Sequence, residues 1–173
     1  MEFSIGTFQS SLPIVAEGHY SSSRFTVGWD KFYLKTYSAA NPFIQCWSAG
    51  YLEGVLSHEE IYNYYNNIHV FFKGNNDAID DIKNFYKNIN ENLSSKLNIS
   101  YFKTLNENDY KKWLHFFCIK SQLEGLHAGY SSMIDVGSKD EQMKKLSLLD
   151  FYFINSEGNF SDIKGNKIRF KLY

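Results

Sequence analysis

The segment that most restricts this chain runs from Asn41 to Glu60, NPFIQCWSAGYLEGVLSHEE. Asn41 is a good helix N-cap, and Pro42 suits the first helical position, where its missing N–H costs nothing. From there Phe43, Cys46, Trp47, Gly50, Tyr51, Gly54 and Val55 fall on one helical stripe. Ala49, Leu52 and Leu56 make the opposite face apolar as well. A helix that is apolar nearly all round has no face to offer water and must be covered on both sides. Gly50 and Gly54 lie inside it rather than at its N-terminus, where a phosphate would bind, and they read as packing glycines. Glu53 is the exception. An ionised carboxylate in such surroundings is costly unless paired, so it reads either as a structural ion pair or backbone hydrogen bond, or as a catalytic carboxylate. Ser57 with Glu60 three residues later is a capping-box pattern that starts a second helix.

The flanking segments change period. FSIGTF and LPIVAEGHY read as short strands, and GWDKFYLKTY places Trp29, Lys31, Tyr33 and Lys35 on one side with Phe32 and Leu34 on the other. Residues 1–40 are therefore expected to form a small antiparallel sheet, with Trp29 a core aromatic or the wall of a pocket. Residues 41–131 read as four helices. After the first, Ile61, Tyr64, Tyr65, Ile68 and Phe72 mark the second, up to a stop at Gly74. Ile79, Ile82, Tyr86 and Ile89 mark the third. Trp113, Phe116, Phe117 and Leu123 mark a longer fourth from about Asn108 through Leu126. The run LSLLDFYFIN is too evenly apolar for a half-exposed surface, and 146–155 is expected to be an interior strand. The fold class is α+β, in a single unit spanning 1–173.

Composition removes several functions. The chain has 173 residues and a net charge of −1 with acids and bases interleaved, so it has no basic stripe to neutralise a phosphate backbone, and nucleic acid is not expected as a partner. No apolar run approaches the ~18 residues of a membrane-spanning helix. The start, MEFSIGTFQSS, lacks the basic lead and apolar core of a secretory signal peptide. Sequons at Asn92, Asn98 and Asn159 would accept glycans on a secretory route. Cys46 and Cys118 are compatible with one disulfide or with two buried thiols.

The chemistry-bearing motifs mostly fail. His58-Glu59-Glu60-Ile61 is followed by Tyr62, which breaks the H-E-x-x-H zinc pattern and leaves His58 as a first-turn surface residue. Gly129-Tyr130-Ser131-Ser132 is not a serine elbow. His115 and Cys118 share a helix face, but that spacing on an aromatic-rich stripe belongs to a core rather than to a thiol and its base. No metal site and no cofactor are expected.

Four segments together resemble a known family. VGWDKFYLKT (Val27 to Thr36), AGYLEGVLSHEEIYNYYNN (Ala49 to Asn67), QLEGLHAGY (Gln122 to Tyr130) and LSLLDFYFINSEGNFSDI (Leu146 to Ile163) are similar, in the same order, to the N-terminal segments of the phospholipase B-like proteins, which include the lamina-ancestor proteins. Within them Trp29, Gly50, Glu53, Gly54 and Glu60 are the motif residues. The resemblance implies an N-terminal-nucleophile hydrolase with a four-layer αββα core, glycosylated, lysosomal or secreted, and cut autocatalytically into two associated chains. It implies a nucleophilic cysteine at the start of the C-terminal chain, with its own α-amino group as general base, acting on phospholipid or another acyl lipid. Cys46 and Cys118 do not match that cysteine. The implied reading is that this chain is the N-terminal portion, with no catalytic residue of its own and the C-terminal chain of the same precursor as partner. A non-catalytic lipid- or partner-binding remnant and an N-acyl amide hydrolase of the same nucleophile class are the alternatives.

Overall fold

A computed structural model describes residues 2–5, 14–71, 76–96, 104–137 and 143–156. Strands β1 (Glu2–Ile5), β2 (Ala16–Ser21) and β3 (Lys31–Thr36) form one antiparallel sheet in the order β1-β2-β3. The register pairs Ala16 with Thr36, Gly18 with Leu34 and Tyr20 with Phe32, so these residues share one face. That face carries small residues on β2, and helix α2 (Pro42–Leu56) lies against it: Ala16, Leu52 and Leu56 form a buried cluster with Leu34 beside it. The other face carries the cross-strand pair Glu17–Lys35, with an ion pair at 3.4 Å, and Tyr33.

The expectation of strands alone over 1–40 needs one correction. Between β2 and β3 the chain makes a short helix, α1 (Arg24–Val27), closed by Gly28 at φ 90°. A left-handed residue at that end favours glycine because a Cβ would meet the following carbonyl. Four residues at a turn carry too little periodicity to be read from sequence.

Helix α2 begins as its cap predicts, with the Asn41 side chain accepting from the Phe43 N–H at 2.9 Å. Helix α3 (His58–Phe71) follows at once, but not through a capping box. The Ser57 hydroxyl donates back to the Glu53 carbonyl at 2.6 Å, closing α2 instead, and Glu60 is engaged elsewhere. His58 is only 8% exposed and its Nδ1 lies 2.8 Å from the Val55 carbonyl, so it is not a surface residue. The abrupt turn between α2 and α3 tucks it inward. The stop expected at Gly74 lies outside the described residues.

Helix α4 (Asn76–Lys96) buries Ile79 and Ile82 as the period requires. Helix α5 (Glu107–Val136) is longer than its pattern suggests, continuing through Gly129-Tyr130-Ser131-Ser132 beyond residue 131. Packing against α2 overrides the weak helix propensity of those residues. Residues 146–155 are not a strand: helix α6 spans Leu148–Asn155. Ser147 and Asp150 form a reciprocal capping box, Asp150 N–H to the Ser147 hydroxyl and Ser147 N–H to the Asp150 carboxylate. The helix is evenly apolar because Phe151 to Ile154 are all buried, and a short apolar run has no period of its own to separate strand from buried helix.

The second and larger core joins α3, α4, α5 and α6 through Tyr62, Ile68, Ile79, Ile82, Tyr130, Phe151 and Phe153. No described helix is long and apolar enough to cross a membrane.

Candidate functional site

The centre of the molecule is the contact between α2 and α5, which run parallel. A Cβ on Gly50 would lie 1.9 Å from the Gln122 carbonyl oxygen, and one on Gly54 2.2 Å from that of Leu126. The relation is reciprocal. A Cβ on Gly125 would lie 2.0 Å from the Trp47 carbonyl oxygen, and one on Gly129 2.1 Å from that of Tyr51. Four glycines in two G-x-x-x-G pairs thus put backbone against backbone. The sequence reading found the role of Gly50 and Gly54 but missed their partners, although Gly125 and Gly129 repeat the same spacing.

Glu53 projects from this contact and is half-buried, with a hydrogen bond to Gln122. Burial lifts its carboxyl above the ordinary range, and the Gln122 bond pulls the other way without cancelling the effect. The folded carboxyl thus holds its proton more tightly than the unfolded one. Glu53 carries no penalty below the unfolded pKa of about 4.3, and its cost grows as pH rises through the folded pKa. Glu53→Gln is therefore expected to raise stability modestly at neutral pH and to flatten its decline above about pH 4.3, read by urea unfolding across pH. A variant that is less stable at neutral pH would show that the carboxylate itself is needed.

Gln122 also lines a pocket of about 280 Å³ between β3, α2 and α5, together with Leu34, Thr36, Pro42, Gln45, Cys46 and Ala49. The Thr36 hydroxyl donates to Gln45 Oε1 at 3.2 Å, and Gln45 Nε2 donates to the Ala40 carbonyl at 2.7 Å, so this amide is held at both ends. The pocket offers amide and hydroxyl groups and one thiol. Cys46 and Cys118 are both half-buried free thiols that interact with each other across α2 and α5. The thiol–base pairing of Cys118 with His115 is not what the geometry provides.

Glu60 belongs to a second polar cluster, where α3 meets the sheet. The Tyr20 hydroxyl lies 2.7 Å from Glu60 Oε1 and 2.9 Å from Asp30 Oδ2, sharing one hydrogen between two carboxylates. Arg24 bridges the same carboxylates, 2.5 Å from Asp30 and 3.2 Å from Glu60. The guanidinium, with the Tyr20 hydroxyl and the Arg24 N–H, holds the Asp30 carboxyl well below the usual range, although its burial acts in the opposite sense. Asp30 also accepts from the Ser23 and Arg24 N–H groups, both at 3.0 Å, and so fixes the start of α1. Trp29, beside it, is 68% exposed: its carbonyl accepts from the Ser23 hydroxyl while its ring points to solvent. It is neither core nor the wall of the pocket, because α1 shifts the turn and carries the indole out of the sheet's inner face.

A family profile for Phospholipase B matches residues 16–171. The chain belongs to the phospholipase B family. It is 32% identical over 149 residues to Phospholipase B-like protein C of Dictyostelium discoideum, covering 86% of this chain and 24% of that protein. It is 26% identical over 152 residues to Phospholipase B-like 1 of Rattus norvegicus, covering 86% and 26%. With the putative phospholipase B-like lamina ancestor of Drosophila melanogaster it shares 25% over 145 residues, covering 84% and 21%. The chain thus spans about a quarter of the length of these curated relatives.

The segments that mark the family resemblance are those that grip one another here. Ala49–Asn67 supplies Gly50, Glu53, Gly54 and Glu60. Gln122–Tyr130 supplies the facing glycines and Gln122, the partner of Glu53. Its other side holds the segment before α6: the Tyr130 hydroxyl donates to the Lys144 carbonyl at 2.6 Å, and His127 Nε2 lies 3.1 Å from that of Leu146. Of the sequons, Asn92 is exposed on α4, while Asn98 and Asn159 lie outside the described residues.

Proposed function

We propose that this chain is the N-terminal part of a phospholipase B-like acyl hydrolase, whose nucleophilic cysteine is carried on a C-terminal chain of the same precursor. The observation that carries this reading is the Phospholipase B match along nearly the whole chain at about a quarter of its relatives' length. On this reading the sheet, α2 and α5 are part of a four-layer αββα hydrolase core, and the glycine contact is its internal framework. The catalytic cysteine thiolate would attack an acyl carbonyl, with its α-amino group taking the proton and water releasing the acid from the acyl-enzyme.

A surface of suitable character supports the partner chain. Large apolar side chains stand in solvent here: Phe25 on α1 is 94% exposed, Trp29 in the turn before β3 is 68% exposed, and Tyr33 on β3 is 54% exposed. Passage through the secretory route to a lysosome or the exterior belongs to the same proposal, with Asn92 as a glycan acceptor.

The test uses the complete coding sequence. The full protein is expected to release fatty acid from phosphatidylcholine in mixed micelles, and the variant with Ala at the first position of the C-terminal chain is expected to lose at least about a hundredfold in rate. Unchanged release by that variant would overturn the mechanism. Cleavage of N-acyl amides in preference to the esters would identify the amide hydrolase, and lipid binding without turnover would identify the non-catalytic alternative.

A further inference from the structure

Cys46 and Cys118 are brought together by a contact that has little freedom to move. The Phe43 and Phe117 rings meet at a centroid distance of 4.3 Å, three residues before Cys46 and one before Cys118. Gly50 meets the Gln122 carbonyl one helical turn after them. Because the helices are parallel, these two contacts bracket Cys46 and Cys118 and hold them in register, close enough for the thiols to interact. Their surroundings differ. Cys46 lines the pocket between β3, α2 and α5, whereas Cys118 does not.

We propose that Cys46 and Cys118 are a disulfide-forming pair that takes an oxidising equivalent from a small-molecule disulfide such as glutathione disulfide, with Cys46 as the entry thiol and Cys118 as the resolving thiol. The Cys46 thiolate, its proton lost to solvent, attacks one sulfur of glutathione disulfide. The S–S bond breaks, one glutathione thiolate leaves, and a mixed disulfide forms on Cys46. Cys118 then loses its proton and displaces the second glutathione. The sum is two protein thiols and one glutathione disulfide giving one protein disulfide and two glutathiones, with the protein oxidised and the small molecule reduced.

The order of attack follows from the surroundings. Burial, then the hydrogen bond and charge of Cys46, push the Cys118 thiol up to about 12, so little Cys118 thiolate exists to start the exchange. Once Cys46 is capped as a mixed disulfide, its opposing charge is gone, and Cys118 sits beside the sulfur it must attack. The cross-link would join α2 to α5 across the most extensive helix contact among the described residues. It does not depend on the hydrolase reading.

The full protein is reduced, freed of reductant and incubated with excess glutathione disulfide. Remaining thiols are then alkylated in denaturant and assigned by peptide mass spectrometry. In the wild type, Cys46 and Cys118 are expected to be recovered as one cross-linked peptide pair without retained glutathione. Cys118→Ala is expected to retain glutathione on Cys46. In Cys46→Ala, Cys118 is expected to react about tenfold or more slowly than Cys46 does in Cys118→Ala. Circular dichroism establishes that each variant is folded. Stable glutathione on both cysteines of the wild type, both thiols remaining free, or equal rates in the two variants would each overturn the proposal.

Discussion

Replacing Gly54 with valine is expected to destabilise the protein by about 3 to 4 kcal/mol, the upper range for overpacking, because the obstruction is backbone and not a side chain that can rotate away. The added carbon would lie 2.2 Å from the Leu126 carbonyl oxygen and 2.7 Å from the Tyr130 nitrogen. The two helices would have to separate, and the separation would spread to Gly50, Gly125 and Gly129. The informative variant is the smaller one. In an exposed helix, Gly→Ala gains about 1 kcal/mol from propensity. At Gly54 the clash is expected to outweigh that gain, so Gly54→Ala lowers the urea midpoint instead of raising it. Gly28→Ala is the control: it has φ 90° but nothing beyond its own chain neighbours within 4 Å of an added carbon, and only backbone strain of roughly 1 kcal/mol is expected. A Gly54→Ala protein as stable as wild type would mean that the helices do not meet on their backbones.

The second large effect is at the buried ion pair between α4 and α6. Lys83 Nζ lies 2.5 Å from Asp150 Oδ1, and Asp150 is only 7% exposed. Burial raises the Asp150 carboxyl, but Lys83 and the Ser147 donors overcome it and leave the group below its ordinary value. Its stabilisation is therefore present above the unfolded pKa of about 3.9 and is lost as pH falls through the lower folded pKa. Lys83→Met keeps the stem and removes the charge, stranding a carboxylate in the core, and is expected to cost about 3 kcal/mol at pH 7. Its second signature is a smaller gain in stability between acid and neutral pH than the wild type shows, because the folded carboxyl no longer sits as far below the unfolded one. Urea unfolding at a series of pH values measures both. An undiminished pH dependence would show that Ser147, not Lys83, holds the proton off Asp150.

The two expectations share a cause. The family-resemblance segments act as mutual packing surfaces: Gly50 and Gly54 meet Gln122 to Tyr130, and the far side of that same run holds the chain entering α6 through Tyr130 and His127. Substitutions there act through the framework, whichever atoms carry the chemistry. Glu53 fits this pattern. Its partner among the described residues is Gln122, an amide on the facing helix, so within them its carboxyl acts as a packing element beside a pocket.

The sequence by itself determined the parts that depend on local period and caps. The N-cap of α2, the apolar nature of both its faces, the alternation of β3 and the family membership could all be read before any coordinates, because each is written within a few residues or in ordered motifs. Only the tertiary structure decided the rest. The run at 148–155 is helical because its surroundings bury every side, and a buried segment loses the period that separates helix from strand. Ser57 closes α2 rather than opening α3, since one hydroxyl can serve either end and the sharp turn selects the nearer carbonyl. Trp29 faces solvent because a four-residue helix turns it outward. Cys46 found Cys118, and Gly54 found Leu126, across some seventy residues of intervening chain. Such pairings follow from how two helices cross, a property that no single stretch of sequence contains.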